Sequence, residues 1–323
     1  MLYRAAVALL FLLFLDHGCS DQPSLHTAKQ VSVHPGPAQV LALYEAWFGH
    51  PQHIAVGYST QDPDVVRRQI RQAKAMGISG FVVDWYGFRQ PFIDRSYSVL
   101  QSIAAEENFH VAIMYDETDD EDGATDETIE DLKLLNRNYL AASAPGRAAY
   151  LTYDGHPVIF IFPKGRHTDW NRVHTELAKW PKTPLLINEY PPNQYAPVMD
   201  GYYAWINPGP GGWAKDGSNW GEQYLTDFYT TMQSKYPDAL AVGGIWATFD
   251  DSKAAWSLNR HISPRCGKTY SDTVALWRRY SAQHPMPYVM VETWNDYEEG
   301  TAIEKGVKDC ASGKLQPLTK ALP

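Results

Sequence analysis

The chain of 323 residues holds only three cysteines, Cys19, Cys266 and Cys310. No CxxC, HExxH or EF-hand spacing occurs, so no metal site is encoded by motif and no cofactor is expected. Cations are outnumbered, with Lys+Arg 28 against Asp+Glu 37 and a net charge of −9. That balance weighs against nucleic acid or an anionic membrane as the main partner. No glycine-rich phosphate loop follows the first apolar strand, which weighs against a dinucleotide-binding fold. No internal repeat or low-complexity block separates two domains. The N-terminal apolar run, Ala5 to Leu15, is too short to span a bilayer and has the form of an export signal.

Residues 1–19 therefore read as a removable leader and 20–38, polar and proline-containing, as a linker, with one catalytic domain over 39–323. The protein is expected outside the cytoplasm: periplasmic, extracellular or anchored to an outer membrane. Cys19 stands where a bacterial lipoprotein carries its acylated cysteine, although Asp16 and His17 fit that signal poorly. A lipid at Cys19 is the single membrane contact considered, and the protein is expected to act as a monomer. With Cys19 lost or acylated, Cys266 and Cys310 are left as a disulfide or as two free thiols. A bridge across that loop stabilises by about 4 kcal/mol in the chain-entropy treatment.

What the chain does contain is apolar and aromatic: 44% hydrophobic, 13% aromatic, Trp 11 and Tyr 20. Apolar strands are expected over 40–47, 78–87, 109–117, 156–163, 184–191, 200–208, 239–250 and 287–294. Amphipathic helices separate them, as in "DPDVVRRQIRQAKAMG", opened by Asp62 with Pro63 just inside and stopped by Gly77. Only the gap between residues 191 and 200 is too short for a helix. Near-continuous apolar strands alternating with helices indicate a parallel sheet covered on both faces. Eight such units favour a single (β/α)8 TIM barrel, one βα unit lacking a full helix.

Reactive groups of such barrels sit at the C-terminal strand ends. Here those ends mix aromatics with carboxylates and amides: Tyr44 and Trp47; Asp84, Trp85 and Tyr86; Tyr115 and Glu117; Glu189 and Tyr190; Trp246; Asn295. These are the candidate substrate-binding residues. An acidic, aromatic cavity poor in Arg, Lys and His suits a neutral polyhydroxylated ligand, because carboxylates accept from hydroxyls and rings stack on sugar faces. An oligo- or polysaccharide is the expected substrate. Glycosidic cleavage needs two carboxyl groups flanking the bond, one of them protonated near neutral pH. The segment "ETWNDYEEGTAIEKG" crowds five carboxylates just after the last strand, and that crowding raises the proton affinity of at least one of them.

"WNDYEEGTAIE" resembles the signature of glycoside hydrolase family 99, the endo-α-mannosidase and endo-mannanase family, whose last strand ends in Asn-Glu-Trp-His-Glu-Gly-Thr-x-Ile-Glu. Asn295, Glu299, Gly300, Thr301, Ile303 and Glu304 match that pattern, and the two catalytic glutamates fall on Asp296 and Glu299. "TWNDYEE" is also similar to the Thr-Trp-Asn-Asp-Tyr-Gly-Glu motif of family 71, the fungal α-1,3-glucanases. The resemblance implies an endo-acting hydrolase of an α-linked mannan or glucan. It implies Glu299 as general acid and Asp296 as base, with Glu292 and Glu304 supporting them from behind. The family 99 residue at position 296 acts on the sugar's own 2-hydroxyl with retention; the shorter Asp296 leaves room for a water and inversion. Tyr297 and Glu298 replace Trp and His, which weakens the case for mannose. The competing reading is a non-catalytic carbohydrate-binding protein on a degenerate hydrolase scaffold.

Overall fold

The computed structural model describes residues 36–118, 122–164, 166–190, 194–207, 219–308, 310 and 314–316. The expected leader, Cys19 and most of the linker lie outside the described residues. Eight parallel strands form the barrel: β1 (Gln39–Tyr44), β2 (Gly80–Trp85), β3 (His110–Asp116), β4 (His156–Phe162), β5 (Leu185–Glu189), β6 (Gly201–Tyr203), β7 (Leu240–Ile245) and β8 (Tyr288–Val291). Each pairs with its neighbours in sequence, and β8 pairs back onto β1, which closes the sheet. The expected TIM barrel is therefore the fold. The short segment Thr152–Tyr153 adds an antiparallel hairpin at the start of β4.

Helices α1 (Pro63–Ala75), α2 (Pro91–Glu106), α3 (Ala124–Leu135), α4 (Trp170–Leu177), α5 (Glu222–Lys235) and α6 (Lys268–Ser281) cover the outside. The α1 start follows its sequence signals: Asp62 caps it by accepting from the Asp64 N–H, and Pro63 sits where a missing N–H costs nothing. Asp169 caps α4 in the same way, accepting from Asn171 and Arg172. Between β5 and β6 the described residues hold only the 3-10 turn Ala196–Val198, the shortened unit expected from the sequence.

Strand alternation divides the core in two. Leu41, Leu43, Val82, Met114, Phe160 and Ile187 fill the barrel interior, while the opposite faces pack under the helices. Cys266, just before α6, is bridged to Cys310, which ties the segment after β8 to the helix layer.

Packing against neighbouring backbone is close at β6. A Cβ on Gly201 would stand 2.4 Å from the Leu240 carbonyl oxygen. Backbone cannot step aside there, so Gly201→Ala is expected to lower unfolding free energy by about 1–3 kcal/mol, read by urea denaturation. A stability equal to wild type would show that β6 and β7 are less tightly apposed.

Candidate active site

The inward register of each strand decides which side chains reach the barrel mouth. Above the inward Leu43, Val82 and Met114 come Glu45, Asp84 and Asp116; above Ile187 and Met290 come Glu189 and Glu292. Five of the eight strands thus present a carboxyl group on the inward register. Glu45, Asp84, Asp116, Glu189, Asp296 and Glu299 line one cavity of about 630 Å³, so the expected catalytic pair shares a hollow with the upper ring. Trp47, Tyr86 and Trp205 form part of its wall. Glu292 is fully buried and accepts from the Ile206 N–H.

The same alternation overturns three sequence expectations. Tyr44, Trp85 and Tyr115 occupy the opposite register and face the helices. Tyr44 donates to Gln69 at 2.8 Å, Trp85 to Asp94 at 3.3 Å and Tyr115 to Asp131 at 3.1 Å. Trp246 is likewise buried in the outer core, its indole N–H on the Trp220 carbonyl at 2.9 Å, and lines no described cavity. Asn295 is also diverted from substrate. Its amide accepts from the Glu45 N–H at 2.8 Å and donates to the Glu45 carbonyl at 2.9 Å, which fixes the end of β1 to the end of β8. Glu304 is a hub behind the loop, accepting from Tyr58, Tyr297 and Gln69 at 3.0, 2.7 and 2.9 Å.

The loop after β8 is organised by Asp296 itself. Its Oδ1 accepts from the N–H groups of Glu298 and Glu299 at 2.8 and 2.9 Å, a local turn of the kind that aspartate favours. Thr293 Oγ1 accepts from the Asp296 N–H at 2.8 Å, and the Ala302 N–H closes the loop onto the Asp296 carbonyl at 3.0 Å. Glu298, between Asp296 and Glu299 in the chain, is buried. It binds His53 Nδ1 at 2.8 Å and the Ile54 N–H at 3.1 Å. His53 stacks on Trp47 with ring centres 4.7 Å apart, so Glu298 fixes one wall of the cavity. Glu299 is half-buried, and its Oε1 accepts from the Trp256 indole at 2.8 Å.

Burial is the main electrostatic influence on these acids. It pushes Asp296 up to about 8, with the nearby Glu299 charge adding to the shift and the two N–H donors opposing it. Glu299 is raised too, mainly by burial, while the Trp256 hydrogen bond and Arg260 hold it back. Asp84 is pushed up to about 7 by burial, against the Tyr86 hydroxyl and Lys164. Burial, then Asp84, Asp296 and Glu299, holds Glu45 well above the usual carboxylate range. Burial therefore favours the protonated form of both members of the pair.

The cavity is not poor in cations, as the sequence suggested: Lys164, Arg166 and Arg260 line it. Arg260 is engaged by the buried Asp251 at 2.7 Å, and Lys164 lies 4.0 Å from Asp116. Arg166, Glu189 and Asn207 also border a second lobe of about 710 Å³, which contains the expected Glu117 and Tyr190. Glu117 is engaged there by the Trp170 indole at 2.6 Å and the Arg166 N–H at 3.0 Å. On another flank, Trp47, Tyr86 and Trp256 border a smaller lobe of about 160 Å³ that includes His50 and His53.

Sequence reasoning passed over Glu45, Trp256 and the three cations. Alternation would have found Glu45, two positions beyond the inward Leu43. Trp256 and Arg260 lie on a loop folded around Asp251, which accepts from Ser257, Leu258 and Arg260. No periodicity marks such a loop.

No family model matches the chain, and no curated protein does. Among solved structures, it is similar to the family 99 endo-α-mannosidase of Bacteroides thetaiotaomicron in complex with bis-tris propane. The two are 20% identical with a TM-score of 0.60, over 88% of this chain and 92% of that one. A glycoside hydrolase-like protein gives 15% identity and 0.63 over 88% and 92%. A family 5 glycoside hydrolase of Bacteroides vulgatus gives 12% and 0.52 over 88% and 65%. At these identities the likeness is one of fold, a barrel scaffold shared with glycoside hydrolases.

Raised carboxyl groups have a consequence for stability. Asp296 keeps its proton in the folded state up to about 8 and Asp84 up to about 7, whereas unfolded aspartate loses it near about 3.9. The folded state thus binds more protons between those values, and their contribution is present at low pH and lost as pH rises. Melting temperature is expected to fall from pH 5 to pH 8, with a shallower slope in Asp296→Asn and Asp84→Asn. An unchanged slope in both variants would show that these groups are ionised when folded.

Proposed function

We propose that the protein is an exported glycoside hydrolase that cleaves an α-linked glycan, mannan- or glucan-like, within the chain. The single observation that supports this most directly is the convergence of Asp296 and Glu299 on one buried-walled cavity at the barrel mouth. Export rests on the apolar run Ala5 to Leu15. Internal cleavage is favoured by the lobes that flank the central cavity and share walls with it. A blind pocket would accept only a chain end, whereas a cleft continuing past the reactive pair accommodates sugars on either side.

The pair works with one proton. Burial favours the protonated form of each carboxyl group. A hydroxyl or water donating to Asp296 favours the ionised form, already steadied by the Glu298 and Glu299 N–H groups. The proton then belongs to Glu299, the less deeply buried carboxyl group, which gives it to the departing glycosidic oxygen. Asp296 takes the proton of the attacking hydroxyl, either of a water or of the sugar itself. Carboxyl separations of about 5 Å accompany retention and about 6.5–9.5 Å inversion, so the anomer of the first product identifies the nucleophile.

Asp296→Asn and Glu299→Gln are each expected to lower hydrolysis of α-glucans or α-mannans by about 10²–10⁴-fold, with glycan binding retained. On an aryl glycoside with an activated leaving group, Glu299→Gln recovers turnover and Asp296→Asn does not. The opposite pattern would exchange the two roles. A wild type that binds such glycans and never releases reducing ends is a sugar-binding protein instead.

Trp256→Phe removes the donor that steadies ionised Glu299. The alkaline limb of the rate profile should therefore move to higher pH. An unmoved limb would detach Trp256 from the acid.

A further inference from the structure

Two inward carboxyl groups have no part in the proton transfer just described. The last register pair between β1 and β2 is Tyr44 with Val83. One step on, Glu45 and Asp84 stand side by side on strands that lie about 4.8 Å apart. Glu45 is 3% exposed and Asp84 9%. Glu45 Oε2 and Asp84 Oδ1 are both buried without a hydrogen-bond partner among the described residues, and both residues line the central cavity. Asp84 Oδ2 is taken by the Tyr86 hydroxyl at 2.7 Å.

Leaving buried acceptors unpaired is costly, and a protein that tolerates two adjacent ones at an open cavity has room for donors from elsewhere. The surroundings narrow the choice of donor. Of the three cations lining the cavity, Lys164 lies by Asp116 and Arg260 by Asp251, so two of them have carboxylate partners of their own. The position of Glu45 is not left to a flexible loop either, since Asn295 grips both its backbone N–H and its carbonyl. Asn295 adjoins Asp296, so the two orphaned acceptors are held in register with the reactive loop.

We propose that Glu45 and Asp84 form a clamp that accepts from two neighbouring hydroxyls of one sugar residue seated beside the Asp296–Glu299 pair. The clamp rests on the hydrolase reading for which residue it grips, but not for its existence. It sets a requirement on the substrate class: the central sugar carries an unsubstituted pair of adjacent hydroxyls, and a unit acylated, sulfated or branched at either one is refused. The clamp costs stability in the empty protein and returns it on binding, a trade common at functional sites.

That trade supplies a test with two readouts of opposite sign. Glu45→Gln and Asp84→Asn keep shape and replace one carboxyl oxygen with an amide nitrogen that donates and cannot accept. Both are expected to melt no lower than wild type. Binding is read by calorimetry with α-1,4-linked glucotriose and α-1,6-linked mannotriose, whose central units keep adjacent free hydroxyls, in a Glu299→Gln background that preserves the ligand. Whichever trisaccharide binds the parent should bind each clamp variant about ten- to a hundredfold more weakly. An analogue of that trisaccharide lacking the gripped hydroxyl should bind the parent just as weakly and lose nothing further in the variant, the non-additivity of a direct contact. Binding equal to the parent in both variants overturns the clamp, as does the absence of binding by either trisaccharide. So does a lower melting temperature with binding unchanged, which marks the two acids as structural. A wild type that binds through Glu45 and Asp84 yet never cleaves leaves the clamp standing and removes the hydrolase reading.

Discussion

Removal of carboxyl groups from water is the constraint on which the site depends. A closed barrel sends alternate side chains inward, and in this chain the inward position at the top of five strands is an acid. Water cannot solvate all of these groups at once, and among the described residues only three cations share the cavity, two of them beside carboxylates of their own. The remaining relief comes from protons. That is why Asp296 and Asp84 hold theirs to about 8 and about 7.

The architecture was legible in the sequence because its signals were strong and redundant. Eight apolar runs, helix starts such as Asp62-Pro63, and a gap too short for a helix after residue 191 all agree with one another, and consistency across levels specifies a fold. The reactive loop was legible because its residues are contiguous. The remainder of the site was read less well, for a definable reason. Tyr44, Trp85 and Tyr115 lie at strand ends but on the wrong face, and a residue at the end of a strand is only half located until its register is known. Counting in twos from Leu43 or Val82 would have set aside Tyr44 and Trp85, added Glu45 and kept Asp84. Trp256, Lys164, Arg166 and Arg260 come from loops whose course is set by tertiary contacts, such as the hub at Asp251, and no local pattern announces them.

Several residues that look catalytic by composition prove to be scaffolding. Asn295 ties β1 to β8, Glu298 holds His53 against Trp47, and Glu304 collects three donors beneath the loop. Each spends its hydrogen-bonding capacity within the protein. Glu45 and Asp84 each keep one oxygen unspent, and Glu299 meets the half-exposed Trp256 at the cavity wall. Whether a polar group has already been satisfied by the fold separates the two classes better than its type or its position along the chain.

The central claim is that burial, more than any single partner, keeps a proton on the reactive pair at neutral pH. It is tested most directly by the carboxyl carbon of Asp296, followed by nuclear magnetic resonance across pH in protein labelled at aspartate and assigned by difference with Asp296→Asn. The account predicts a titration centred at about 8. A midpoint in the ordinary aspartate range, near about 4, would mean that the carboxyl is solvated and that burial does not hold a proton on Asp296.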